Sequence, residues 1–590
     1  MVYYSSGLCF IICIMKNKKL IISTVIGITA LAVISFYQFF QSNSSDKLVL
    51  SINNSIQTFD PAIVFNDDAM LVMGQSLESL YQYHYLKRPY EVIPALAKAL
   101  PEISANGKVY TFKIKKGIKY HDRHHILPLN RDVKAIDFVW AIKRLAYAPL
   151  KSNGKWLFSG RIKGFNKFGS KVGDSIEAFY KNDIEGVKAI DDYTLEISLH
   201  KPEPNFLYFL TMHFTSPVPV EAIKYYKNDF SKELFGTGPY QYINFKDNTY
   251  YFERFTNFRE EFYPSAGDRY ANTEMLLSSS KKKLPLLGKV EFKVIKEEAS
   301  RWSSFLNHEI DILDVPKQIA FQLSNPKSEM NETFEDKGII IKHFSRQTTR
   351  WLGLNMNDPV VGANLNLRKA IAHGIDFDQY IKVLSNNTNL RSNSIINPSL
   401  DGYKPEHKLP YQYDLEKAKT YFKQSGYKPG ELELTYSTRG TDDIHLVEAN
   451  FIKGQLAKIG INLKINIISF SEFLKLGRAN KLQIWTDNWI YDYPDTENIL
   501  QLLVSKNSPG INKSGYANKS VDGLYAELST SLDPQKRKQI TYEIESLVEK
   551  DLPWILLMYE SSYIVQQSNL QNFRKSYFIR NFAKYLDKHL

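Results

Sequence analysis

Apolar positions along this chain change period several times, and each change marks an element. From Leu48 to Ile52 they alternate as in a half-buried strand, and Thr58-Phe59-Asp60-Pro61 ends the run in a turn. Tyr110, Phe112 and Ile114 share one strand face after the turn-forming Asn106-Gly107. Helical spacing follows at Phe138, Val139, Ile142 and Leu145, with Asp132 placed as its cap. Asp191-Asp192 separates Val187–Ile190 from Leu195, Ile197 and Leu199, which is a hairpin pattern. A second hairpin follows Gly236-Thr237-Gly238-Pro239, with Tyr240 and Tyr242 before a turn at Lys246–Asn248 and Tyr250 and Phe252 after it.

The second half repeats a helix-then-strand theme. Leu367, Ala370, Ile371, Gly374 and Ile375 form one helical stripe. Asp414 caps a second helix carrying Leu415, Ala418, Tyr421 and Phe422, which Gly426 ends. Val447, Phe451, Leu456 and Ile459 mark a third, stopped by Gly460. Ile461, Leu463, Ile465 and Ile467 then alternate as a strand. This succession predicts α/β layers rather than a β-sandwich, and no internal repeat interrupts it.

Length and composition set the scale. With 590 residues, 43% hydrophobic and 23% charged, the chain has room for several globular domains. The formal charge is +12; Lys16, Lys18 and Lys19 are the only charges in residues 1–40, so the body carries +9. No basic block with nucleic-acid spacing appears. Lys281-Lys282-Lys283, the densest run, reads as a solvated loop. The only cysteines are Cys9 and Cys13, so the body uses neither disulfides nor a thiolate, and an oxidising compartment is no obstacle.

The N-terminus points to export. Lys16-Asn17-Lys18-Lys19 precedes a run without charge from Leu20 to Phe40, long enough as a helix to cross about 30 Å of hydrocarbon. A basic flank before such a run places the body of the chain outside the cytoplasm. Residues 1–45 thus read as a signal peptide or a membrane anchor with its polar linker. Ala30-Leu31-Ala32 has the form of a cleavage site, yet the apolar run continues beyond it, which favours a retained anchor. Met15 offers an alternative start.

The segment Trp489-Ile490-Tyr491-Asp492-Tyr493-Pro494-Asp495 carries the sharpest chemical signal. It places aromatics around one acid, with a proline and a second acid beyond. In a cleft, Asp492 becomes a desolvated carboxylate suited to a cation such as the α-ammonium of a peptide. In a loop, the same acid merely starts a turn. No Gly-x-Ser-x-Gly elbow, His-Glu-x-x-His, phosphate-binding loop or Gly-x-Gly-x-x-Gly is present, so the expectation is that the chain is not an enzyme.

Eight landmarks in fixed order carry a resemblance. They are Thr58–Pro61, Glu78-Ser79-Leu80-Tyr81, Val92–Ala97, Gly107–Lys115, Gly236–Tyr240, Leu354–Asn357 with Leu367–Ala372, Trp489–Pro494, and Leu552-Pro553-Trp554-Ile555. In this order they resemble the extracytoplasmic solute-binding proteins of peptide-type ABC importers, the dipeptide- and oligopeptide-binding family (solute-binding protein family 5). The resemblance implies an α/β fold of the periplasmic-binding-protein type: two α/β lobes joined by a hinge, with an inserted extra domain. Lobe I would comprise 46–92, 215–315 and 556–590, the inserted domain 93–214, and lobe II 316–555. The crossings would lie near Val315-Pro316 and Trp554–Tyr559.

The same resemblance implies the function and the site. It implies an extracytoplasmic protein, a monomer without cofactor or nucleic acid, that captures peptides and passes them to the permease subunits of an ABC importer. Asp492 takes the role of ammonium ligand, with Trp489 and Tyr491 beside it, while Trp485 is either a site wall or core. Arg439 and His445 stand in the segment from which relatives recruit a cation for the peptide carboxylate; a solvated arginine and an ordinary helix-start histidine remain the plain alternatives. Relatives that bind haem, nickel, glutathione or murein peptides keep non-dipeptide ligands open, and a membrane-tethered sensor is the other alternative. Two departures stand out. No lipoprotein-type cysteine ends the apolar run, which leaves a periplasmic protein either free or tethered to the inner membrane by residues 20–40. And Tyr120-His121-Asp122-Arg123-His124-His125 replaces a short family turn, where an exposed loop rather than a metal site is expected.

Overall fold

In the computed structural model, which describes residues 46–323, 334 and 336–589, three main sheets organise the chain. The signal or anchor segment assigned from sequence to residues 1–45 lies outside the described residues. The first sheet takes β1 (Lys47–Ile52), β2 (Tyr240–Lys246), β3 (Thr249–Arg254) and β4 (Lys289–Val294) in the order β1-β4-β3-β2. β1 runs parallel to β4, and the other pairs are antiparallel. The β2–β3 turn is tight because Asp247 and Asn248 both adopt positive φ (50° and 55°), the geometry of the primed hairpin turns.

A second four-stranded sheet, ordered Glu102–Ile103, Val109–Lys113, Thr194–Ser198, Val187–Asp191, is covered by helix α1 (Ala135–Ala146). The start of α1 corrects the sequence expectation. Val133 still pairs with Ile118 (N···O 2.8 Å), so the helix begins only afterwards, and Asp137 rather than Asp132 accepts from the Lys134 amide at 2.9 Å. Asp132 instead accepts from the Gly117 amide and the Tyr193 hydroxyl. Two of the landmarks turn out to be clamps. Asp60 of Thr-Phe-Asp-Pro is buried and takes both guanidinium arms of Arg144 on α1, at 2.9 and 2.5 Å. In Gly236-Thr237-Gly238, the amides of Thr237 and Gly238 converge on the Ser76 carbonyl (3.1 and 2.8 Å). A Cβ at Gly236 would sit 2.0 Å from that oxygen, so only glycine permits the approach.

The large sheet contains β5 (Ile312–Asp314), β6 (Ile339–Leu354), β7 (Leu432–Ser437), β8 (Ile461–Asn466), β9 (Ile484–Ile490) and β10 (Trp554–Gln567) in the order β5-β10-β6-β9-β7-β8, with Leu390–Arg391 attached to β10. Helices α2 (Leu365–Gly374), α3 (Leu415–Gln424) and α4 (Asp443–Ala457) pack on it, and α5 (Pro534–Asp551) lies against a neighbouring core. Asp414 caps α3 through the Lys417 amide, and Gly426 follows with φ +89°.

The stripe expected on α4 holds at Leu456 and Ile459, with Phe451 packed beside them, but fails at Val447, which is 43% exposed; Glu448, Ala449, Ile452 and Gln455 are buried instead. The cause is an ion pair inside the lobe: Glu448 accepts from Arg350 at 2.7 and 2.8 Å, from Thr486 at 2.7 Å and from Tyr380. Burial alone would raise the Glu448 pKa, but Arg350 overcomes it and holds the carboxyl below its ordinary value. The strand after Gly460 also ends one residue early, leaving Ile467 exposed.

β6 and β10 physically connect the cores. At one end Ile564 packs with Leu48, Phe292 and Ile312; at the other Leu352, Leu354, Ile555 and Leu557 pack among α2, α3 and α4. Their antiparallel register breaks between Ser345 and Thr349. Such an irregularity bends a strand and re-aims its side chains.

Candidate functional site

A cavity of about 550 Å³ opens at that break. Its walls come from the first sheet's unit (Met70, Leu77, Tyr577, Phe578), from the inserted unit (Trp156, Phe214) and from the large sheet (Arg346–Thr348, Ile490–Asp492, Glu560). The volume falls in the usual range for small-ligand sites, about 300–1,000 Å³.

Asp492 stands just past the end of β9. The Tyr491 amide still donates to the Gln347 carbonyl at 3.1 Å, so the segment remains attached to β6 and delivers Asp492 to the cavity wall. Asn498 organises the turn: its Oδ1 accepts from the Asp492 amide (3.1 Å) and the Trp489 indole (2.7 Å), and its Nδ2 donates to the Asp492 carboxylate at 3.2 Å. The Asp492 carboxylate is open to the cavity yet ringed by protein. That crowding raises its pKa, and only the Asn498 amide opposes the rise. No lysine or arginine pairs with it among the described residues.

The other residues singled out by sequence divide between the cavity wall and the packing behind it. Tyr491 lines the cavity, with its hydroxyl directed to the Ile395 carbonyl at 3.4 Å. Trp489 is turned away onto Asn498 and the core beneath. Arg439 is held by Asp487 at 3.2 Å and lies over the Phe470 ring. His445, at the start of α4, packs beside Gly440, and burial lowers its pKa. Neither Arg439 nor His445 borders the cavity. Trp485 is buried against Phe473 and Leu482 and is core. Asp495 accepts from the Glu497 amide and pairs with Arg537 at 2.6 Å. The Tyr493 ring packs away from the large sheet, stacked on Tyr208 and edge-on to Phe209, while its hydroxyl donates to Glu497.

Sequence reasoning missed Arg346. It stands one residue before Gln347 as Asp492 stands one after Tyr491, and it lines the same cavity. Its Nε reaches only Ser562 Oγ at 3.4 Å, and among the described residues no carboxylate lies within ion-pair distance. The cavity's other charges have partners: Arg580 pairs with Asp67 (2.8 Å), Glu78 with Arg259 (2.5 Å) and Glu560 with Arg350 (3.8 Å), with Asn488 also donating to Glu560 at 3.0 Å. An accessible acid and an accessible base therefore share one cavity, each lacking a charged partner among the described residues.

The histidine-rich loop also differs from expectation. His121 is buried, its Nε2 hydrogen-bonded to the Gly238 carbonyl at 2.9 Å, and burial lowers its pKa to about 4. His124 reaches Glu233 at 3.5 Å, and His125 is exposed.

Residues 91–510 match the family model of bacterial extracellular solute-binding proteins, family 5. The chain belongs to this family. Among curated members, the dipeptide-binding protein DppE of Bacillus subtilis is 25% identical over 93% of this chain and 92% of its own length. The dipeptide-binding protein of Escherichia coli is 24% identical over 80% and 82%. Among solved structures, HbpA2 from Haemophilus parasuis superposes with a TM-score of 0.76 at 21% identity, covering 92% of this chain and all of that one. This family-5 member thus shares the two-lobed binding-protein fold, and its cavity lies where units of that fold meet.

Proposed function

We propose that this family-5 protein captures peptides in the 550 Å³ cavity, with Asp492 holding the α-ammonium and Arg346 the carboxylate, and delivers them to an ABC importer. The carrying observation is the unpaired Asp492 carboxylate facing a cavity that also holds an unpaired arginine. A zwitterionic ligand supplies both missing partners. Tyr491, Phe578 and Trp156 exclude water around them. The dipeptide-binding relatives support this ligand class. Lobe I is 46–92, 215–315 and 556–590, the inserted domain 93–214 and lobe II 316–555, with β6 and β10 bending as the cavity closes. Arg439 acts on ligand only if Asp487 releases it, which makes Arg346 the nearer anchor. The protein works in the periplasm, tethered through residues 20–40, as a monomer and without a chemical step of its own.

Native mass spectrometry of protein purified without denaturation tests the reading. Co-purified short peptides are the expected result. A haem-loaded protein, or one that accepts no di- or tripeptide when offered a mixture, overturns it.

A further inference from the structure

A second cluster of ligand atoms lies away from the cavity, against α5. Glu545 and Glu549 occupy successive turns of that helix, and His407 reaches them from the loop before α3. His407 Nε2 lies 2.7 Å from Glu549 Oε1, and one ligand atom from each of the three falls within 4.8 Å of the others.

The surroundings hold these groups in place. Glu545 is only 2% exposed; its Oε1 accepts from the Ser394 hydroxyl and from the Ile395 amide at 2.9 Å. Its Oε2 accepts no hydrogen bond among the described residues. The loop carrying His407 is fastened by Asn393, whose amide donates to the Pro405 and His407 carbonyls at 2.9 and 3.2 Å and whose Oδ1 accepts from Tyr403. Orientation of ligands by such outer hydrogen bonds is a regular feature of metal sites. Two carboxylates stand one helical turn apart, and among the described residues neither pairs with lysine or arginine. Lys404, on the same loop, is engaged over the Tyr542 ring.

We propose that His407, Glu545 and Glu549 bind one divalent transition cation of the zinc class. One imidazole nitrogen and two carboxylate oxygens form a three-protein-ligand set, which leaves a fourth position for water. At ligand distances of about 2.0–2.2 Å, tetrahedral ligand atoms stand about 3.4 Å apart. The His407–Glu549 contact therefore opens and the remaining separations close, by side-chain movement alone. None of the three residues borders the peptide cavity, so the site is separate from the proposed function.

Titration of zinc chloride into the untagged, chelator-stripped full chain, followed calorimetrically with a chromophoric chelator as competitor, tests the assignment. The expected result is one ion per chain, a raised melting temperature, and at least tenfold weaker binding in His407→Ala and in Glu549→Gln. Each variant must retain tripeptide binding, which shows that it is folded. His124→Ala combined with His125→Ala is expected to change nothing. Absence of stoichiometric binding, binding that survives His407→Ala and Glu549→Gln, or binding lost with the exposed histidines overturns the proposal.

Discussion

Replacing Asp492 by Asn removes one charge while keeping the side chain's shape and an acceptor for Asn498. The size of the effect depends on which dielectric regime the carboxylate occupies. A solvated surface pair would contribute about 0–1 kcal/mol. Asp492 is exposed at the cavity wall, yet protein crowding raises its pKa, a ligand filling the cavity would displace the water around it, and one neutral amide, 3.2 Å away, compensates its charge. An ammonium about 4 Å away at an effective dielectric of about 20 interacts by about 4 kcal/mol. Truncating one partner of such a pair costs about 2–5 kcal/mol. The expected loss is therefore about 2–4 kcal/mol, roughly 30- to 1,000-fold in affinity. Calorimetry with trialanine and N-acetyl-trialanine closes a double-perturbation cycle. Acetylation should weaken binding to the native protein, and Asp492→Asn should add almost nothing to that loss. If the variant binds both ligands with the same penalty, Asp492 does not touch the ammonium and the reasoning fails. The carboxylate must also be ionised to bind. Because its pKa is raised, native affinity should fall with decreasing pH earlier than an ordinary aspartate would dictate, and Asp492→Asn should flatten that part of the profile.

Arg346→Ala should weaken trialanine by about 1.5–3 kcal/mol while sparing trialanine amide, as calorimetry would show; equal losses would remove Arg346 from the carboxylate end. Glu448→Gln leaves Arg350 buried against a neutral partner and should cost about 3–5 kcal/mol in urea unfolding, much of it recovered by the apolar pair Glu448→Leu with Arg350→Met. Glu261 gives a stability signature in acid. Burial would raise its pKa, but Lys584 and Arg259 outweigh burial and bring it to about 2. Its stabilisation is complete above the unfolded value near 4.5 and disappears as pH falls toward 2. It is worth on the order of 3 kcal/mol, and Glu261→Gln should flatten the unfolding midpoint between about pH 5 and 3.

What could be read from sequence divides along a physical line. The 240–254 hairpin and the α3 cap were legible because each is decided within a few residues, by alternation and turn chemistry in one case and by Asp414 in the other. The first turns of α4 were misread because one of the residues buried there is Glu448. A hydrophobicity pattern assigns an acid to water, and only the arrival of Arg350 from β6 reverses that. Asp132 was misread because a strand-like contact to Ile118 postpones the helix, and that partner lies outside the local window.

The cavity shows the same division within a single site. Asp492 announced itself because its aromatic neighbours are consecutive in sequence. Arg346 sits in Ser345-Arg346-Gln347-Thr348, a polar stretch that reads as an ordinary exposed strand end. What makes it a site residue is the register break between Ser345 and Thr349, where β6 leaves its pairing with β10 just as it passes the end of β9. A strand that kept its register there would stay paired with β10 through these residues. The break frees Arg346, Gln347 and Thr348 to line the cavity beside Asp492. It also lies between the two cores that β6 and β10 connect, where a change of backbone angle moves one relative to the other. On the proposed function, ligand contacts and lobe movement meet in the same few residues: a peptide that bridges Asp492 and Arg346 binds at the bend itself, and its contacts bias the closed state directly without relay through either core.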